Sequence, residues 1–177
     1  MPDGQTQTKL RSFAVLVIAV GKDGVALIKD PSCETDAVHA EWKFPGGKAK
    51  VHEMELAQTN LLGATQAAAA RELEEETGII VDADRFELLN SEAKRRRDRY
   101  SGAVIGEYDV HFLGVKLELE LPMYAHHYTL GQAATGEVTD VVLLDELPDA
   151  IAAVRPHRKL LDLPKVRAFL ASCQQTA

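Results

Sequence analysis

The sequence predicts one layered α/β (α+β) domain, and three observations carry that expectation. Apolar runs of strand length dominate from Arg11 onward, at Phe13–Val20, Val25–Lys29, 79–81, 86–89, within 104–119 and at 138–144. A long helical segment at 65–77 interrupts them, with shorter ones toward the C-terminus. Finally, 177 residues suffice for one full core and are too few for two ordinary ones. Strands mixed with a few helices bury their apolar faces by stacking in layers. With 46% hydrophobic and 27% charged residues, collagen-like, disordered and membrane-embedded classes are excluded.

Residues 1–10 are polar and are expected to form a flexible tail before a single domain at 11–177. Arg11 and the apolar run after it resemble a short signal-peptide core. Gly21-Lys22-Asp23-Gly24 follows in place of a small-residue cleavage site, and the run is too short to span a bilayer. A hairpin of Phe13–Val20 with Val25–Lys29 is the better reading. Cys33 and Cys173 can neither staple a domain of this size nor form a zinc site, so a cytoplasmic protein is expected. The helix at 65–77 has Thr65 as N-cap, four alanines at 67–70 and Gly78 where a left-handed cap residue belongs. Another helix is expected at 164–172, opened by Pro164, and a short one across 147–154. The net charge of −7 excludes a general DNA-coating surface.

The chemistry concentrates at 71–79, Arg-Glu-Leu-Glu-Glu-Glu-Thr-Gly-Ile. At a helical advance of about 100° per residue, Glu72, Glu75 and Glu76 fall within an arc of about 100°. Such like-charge neighbours cost a helix a few tenths of a kcal/mol, roughly, per pair. A hard divalent cation taking carboxylate oxygens would reverse that cost. Arg71 can hold a neighbouring carboxylate through its planar fork. A solvated acidic face is the ordinary alternative. Upstream, Trp42-Lys43-Phe44-Pro45-Gly46-Gly47-Lys48 reads as a strand end breaking into a turn whose backbone can approach a ligand closely.

Together these residues resemble the Nudix box, G-x5-E-x7-R-E-U-x-E-E-x-G-U, where U is a bulky aliphatic residue. Arg71, Glu72, Leu73, Glu75, Glu76, Gly78 and Ile79 match its second half without a gap, and Gly47 and Glu53 match its first. Gly136-Glu137 and the later Leu144-Asp145-Glu146-Leu147-Pro148 resemble the family's closing strand. One departure stands out: seventeen residues separate Glu53 from Arg71 where the box has seven, so 54–63 reads as a ten-residue insertion before the helix. The distance of Glu53 from the helix is then not set by a short loop, and its role stays open. The insertion is expected to be a loop or short helix docked beside the site by Leu56, Leu61 and Leu62.

The resemblance implies a Nudix fold, a mixed β-sheet between helices, and hydrolysis of a nucleoside diphosphate linked to another group. It implies Mg²⁺ (or Mn²⁺) held by Glu72, Glu75, Glu76 and the Gly46 carbonyl, with Arg71, Glu72 and Glu75 catalytic. Glu137 is the candidate additional acid, as ligand or base. Arg97, Arg99 and Tyr100, in the one basic block at 94–100, are candidate substrate contacts; a solvated loop is the alternative. His126-His127 read as loop residues, and Trp42 as a core anchor. The expected partner is a small nucleotide, with no membrane, no nucleic acid beyond a capped RNA end, and a homodimer as a frequent family state. Two rival readings are a Nudix-fold binding or regulatory domain without turnover, and an isoprenoid-diphosphate isomerase. The second wants a Cys near the start of the box, and Cys33 lies well before it.

Overall fold

The computed structural model describes residues 10–22, 24–29, 42–98, 100–118, 138–142, 145–151 and 155–174. Two strands, β1 (Phe13–Val20) and β2 (Val25–Lys29), meet through the pair Val20↔Val25 beside a turn closed by Gly21 N–H on the Gly24 carbonyl at 2.9 Å. From there they splay. Residues 42–49 fill the fork: β3 (Trp42–Lys43) pairs with the far end of β2, and the chain then crosses to β1. Val17 N–H donates to the Pro45 carbonyl at 2.8 Å and Val15 N–H to that of Gly47 at 2.9 Å. The Pro-Gly-Gly turn is thus sewn into the sheet rather than hung from it.

On its other edge β1 runs parallel to β5 (Val104–Lys116) from Phe13↔Asp109 to Val20↔Lys116. The long strand β4 (Glu87–Arg97) pairs antiparallel to β5, and β6 (Val138–Val142) pairs antiparallel to β2. The strand order β3–β2–β1–β5–β4, with β6 also on β2, makes the sheet mixed. Alternation along β1 and β5 sends side chains to opposite faces. Phe13, Val15, Val17, Leu113 and Val115 face Ala64, Ala68, Ala69 and Leu73 of a long helix, α2 (Leu61–Thr77). Ile18, Val20, Val110 and Phe112 face a second cluster. It is built from α3 (Leu147–Ala150), α4 (Arg155–Leu160) and α5 (Pro164–Gln174) through Leu147, Leu160, Val166 and Phe169. A mixed sheet with helices on both faces is the architecture expected.

Several elements differ from expectation. The helix starts at Leu61, where the Asn60 side chain accepts the Gly63 N–H at 2.9 Å; Thr65 is interior, its hydroxyl donating to the Leu62 carbonyl. The Ala-rich segment simply propagates one turn further back to a better cap. Residues 54–63 form the end of α1 (Val51–Leu56), a turn and the start of α2. Met54 and Ala57 pack on the core, whereas Leu56, Leu61 and Leu62 stay exposed. Residues 79–81 are not a strand; Ile79 and Val81 plug the core beside the Gly78 cap (φ 71°) and lead to a 3-10 turn at Ala83–Arg85. The basic block is not a loop at its start, since β4 continues to Arg97.

At Gly114 of β5 an added Cβ would lie 2.8–2.9 Å from the ring of Phe169, so α5 rests directly on bare backbone. Gly114→Ala should therefore destabilise by about 1–3 kcal/mol in urea unfolding. Combined with Phe169→Leu, it should cost less than the two single changes added together. Strict additivity would show that the contact is not tight.

Candidate active site

Both ends of α2 are pinned, by Asn60 and by the left-handed Gly78. That fixes Glu72 and Glu76, one turn apart, against the turn in the strand fork. Glu76 Oε2 accepts the Gly46 N–H at 2.7 Å. The Glu72 carboxylate lies over Gly47, where a Cβ would sit 2.6 and 2.7 Å from its two oxygens. Gly46 is required for a separate reason: its φ is 151° and a Cβ would strike the Val15 carbonyl at 2.2 Å. Each glycine removes a side chain from a place already taken.

Beside this pair, Arg71 uses every N–H it has. Nε and Nη2 donate to the two oxygens of Glu53 at 2.8 and 3.0 Å, and Nη1 to Glu72 at 2.7 Å and Glu75 at 3.0 Å. Nη2 also donates to the Lys48 carbonyl at 3.2 Å. Glu53 is 1% exposed and accepts the Lys50 N–H at 2.7 Å as well, from the first turn of α1. Lys50 Nζ meets the outer oxygen of Glu75 at 2.5 Å. Despite the ten extra residues between them, Glu53 and Arg71 therefore form a bidentate pair: α1 turns back on α2 and returns the carboxylate to the helix.

Burial alone would raise the Glu53 carboxyl, but hydrogen bonds from Arg71 and the Lys50 N–H, with the Arg71 charge, hold it below the usual range. Glu75 is lowered by the Lys50 hydrogen bond, with further help from Arg71. Glu72 goes the other way, raised by burial that Arg71 only partly offsets. Hydrogen bonding to Glu53 and Glu72 keeps Arg71 charged throughout.

Among the described residues no group of three or more His, Cys, Asp or Glu side chains is gathered to hold a cation as it stands. The reason is visible: Arg71 Nη1 lies between Glu72 and Glu75 and satisfies both. The donor set nevertheless suits a hard divalent ion. Carboxylates crowd the Gly46–Gly47 backbone, and a nearby cation would favour the charged form of the buried Glu72 that burial disfavours.

The other candidates are not brought to this cluster. Arg97 Nη1 donates to the Gly102 carbonyl at 2.9 Å in the β4–β5 hairpin, and Tyr100 at its tip is 94% exposed. Arg95 is paired with Glu107 across the strands. Trp42 is half-buried against the second core cluster, as expected of an anchor. Glu137, Arg99, His126-His127 and Cys33 lie outside the described residues, as does most of the N-terminal tail. Two contacts had no sequence signal. Lys50 reaches Glu75 only because α1 folds back, and His157 of α4 accepts the Phe44 N–H at 3.1 Å from 113 residues away.

The pair of Glu53 with Arg71 has a pH signature. Its carboxyl has a lower pKa folded than its ordinary value of 4.5, so its stabilisation is present above that value and is lost as pH falls through the folded one. Glu53→Gln should cost about 3 kcal/mol near neutral pH. In chemical unfolding at a series of pH values, the gap to wild type should close on the acid side. A gap independent of pH would assign the loss to packing alone.

Comparison with known proteins fits this geometry. The NUDIX domain profile matches residues 9–163. NrtR of Shewanella oneidensis aligns with a TM-score of 0.55 and 14% identity, over 92% of this chain and 64% of its own. The E. coli ORF135 protein aligns with a TM-score of 0.50 and 20% identity, over 84% and 86%. A MutT/nudix family protein from Enterococcus faecalis gives 0.43 and 20%, over 68% of this chain and 40% of its own. The chain thus spans less than two thirds of NrtR and of the E. faecalis protein. No curated protein matches the sequence. At such identities the structural likeness is one of fold, but the profile takes in most of the chain, including the residues of the Gly46–Gly47 turn, Glu53 and the Arg71–Gly78 helix end: the protein belongs to the Nudix family.

Proposed function

We propose that this protein is a metal-dependent Nudix hydrolase that cleaves a phosphoanhydride bond in a nucleoside diphosphate linked to another group. One observation carries the reading: Glu72 and Glu76, four residues apart, close on the Gly46–Gly47 backbone while Arg71 holds Glu53, Glu72 and Glu75 in register. Glu72, Glu75, Glu76 and the Gly46 carbonyl would hold Mg²⁺ (or Mn²⁺). When bound, such an ion neutralises diphosphate oxygens and lowers the pKa of an attacking water. The chain's own residues supply position. Arg71 sets the rotamers of Glu72 and Glu75, and the buried Glu53 sets Arg71. Glu75, which meets Arg71 and Lys50 here, would turn from those contacts to hold the ion.

Glu137 is proposed as the further acid, from sequence position. Arg97, Arg99 and Tyr100 are proposed as substrate contacts, a reading supported by the exposure of Tyr100 for stacking. No helix among the described residues is long and apolar enough to cross a membrane. A second reading, a Nudix-fold domain that binds nucleotide without turnover, draws support from the pairing of Arg71 with Glu72 and Glu75. A Mg²⁺-dependent phosphate-release screen over a nucleotide panel separates the two: binding without release selects the second.

Two substitutions test the site. Glu76→Gln keeps an oxygen for the Gly46 N–H but removes the charge, and should lower turnover by at least about 100-fold with little change in thermal midpoint. Full Mg²⁺-dependent activity in that variant would remove the central claim. Gly47→Ala pushes the Glu72 carboxylate off its place. It should lower turnover by about 10- to 100-fold and raise the Mg²⁺ concentration needed for half-maximal rate. An unchanged metal requirement would show that Glu72 does not take part.

A further inference from the structure

Among the described contacts of the 44–48 backbone, the Phe44 N–H has the partner most distant in sequence. Phe44 leaves β3, so its amide no longer has a strand to donate to, and it is fully buried. A buried N–H without an acceptor costs free energy comparable to a lost hydrogen bond. His157 Nδ1, on α4, accepts it at 3.1 Å, and the imidazole stacks on the Phe44 ring at 5.7 Å and 7°.

Two residues on, the Gly46 N–H is held by Glu76, while Pro45 and Gly47 are held by their carbonyls on β1. Proline has no N–H, so the first amide hydrogen bond on the turn is the one from Phe44. His157 is thus the only tie among the described contacts between the turn and the C-terminal helices that is directed rather than merely apolar.

From this geometry we infer that His157 is a positioning residue for the metal site: as a neutral acceptor it fixes the Lys43–Phe44 peptide plane, from which the chain enters Pro45-Gly46-Gly47, and through it the Gly46 carbonyl and the Gly46–Glu76 contact. The inference rests on the reading of Gly46 and Glu76 as ion-holding groups. The ring must have a bare Nδ1 to accept, and burial with help from the charge of Lys43 pushes its pKa down to about 4, so it is neutral at ordinary pH. Stacking on Phe44 sets the ring plane, as partners of a ligand set commonly do for the ligand itself. No part of the Nudix box signals this residue, because it lies well beyond it in the chain.

Two variants separate the hydrogen bond from the packing. His157→Phe keeps a flat ring against Phe44 and removes the acceptor; His157→Asn places an amide oxygen at the position of Nδ1. Mn²⁺ affinity of the full-length protein is measured by calorimetry without substrate, with thermal midpoint and Mg²⁺-dependent turnover beside it. His157→Phe should weaken Mn²⁺ binding by about 10-fold and lower kcat more than it raises KM, at little change in midpoint. His157→Asn should recover most of the affinity. Unchanged Mn²⁺ affinity in His157→Phe overturns the inference while wild-type binding and turnover leave the parent reading standing. A wild type with neither metal binding nor turnover overturns both.

A second measurement needs no variant. In wild type labelled with ¹⁵N, the Phe44 amide should show scalar coupling to an unprotonated His157 Nδ1 across the hydrogen bond. Its absence overturns the inference even where His157→Phe fails to fold.

Discussion

The Arg71–Glu53 pair is the constraint on which the site depends. One guanidinium with its five donors committed orders three carboxylates and a backbone carbonyl. Carboxylates three and four residues apart on a helix repel, and burial raises the cost of keeping any of them charged. Arg71 counters both effects, though only partly at Glu72, since its planar fork meets an oxygen of each carboxylate at hydrogen-bond distance and stays ionised. Glu53 matters because it is the one carboxylate of the group that α2 does not carry. Its buried, bidentate grip stops Arg71 from swinging out to solvent.

The sheet supplies the other half. Because β1 and β2 part after a single pair, a fork opens, and the chain from Trp42 to Ala49 closes it with hydrogen bonds to both strands. A turn so placed has no freedom to drift, and only glycine fits at its two central positions. Alternation along β1 then lets one strand serve two cores at once. Its odd residues seat α2 and hence the carboxylates; its even residues seat the C-terminal helices and hence His157. The acidic helix and the imidazole approach the same turn from opposite layers.

The ten residues beyond the usual box spacing show how a local insertion is absorbed. A loop of that length would have let Glu53 wander from the helix. Instead α1 and the back-extended first turn of α2 form a helical hairpin, docked through Met54 and Ala57, that spans the extra chain and returns to the starting point. The leucines at 56, 61 and 62 do not dock it; they face outward.

Much of this was legible in the sequence. Continuous apolar runs of strand length placed β1 and β2 to the residue, with Gly21-Lys22-Asp23-Gly24 marking the break between them. The helix end was legible from Gly78, which only a left-handed cap requires, and the turn from Pro45-Gly46-Gly47. Its start was not: Thr65 and Asn60 are both good caps, and the choice fell to whichever let the alanine-rich segment grow longest. Residues 79–81 look like a strand by composition, yet they pair with no strand among the described residues; Ile79 and Val81 plug the core while Ile80 faces outward. The basic block continues β4 for the opposite reason, since β5 offers it a partner as far as Arg97. Above all, the sequence by itself determined which carboxylates share a helix face, as that follows from the helical repeat alone. Only the tertiary structure decided what meets them: Glu53 across an insertion, Lys50 from a folded-back helix and His157 from 113 residues away. Those contacts are set by layer packing and strand register, which bring together residues that no spacing along the chain relates.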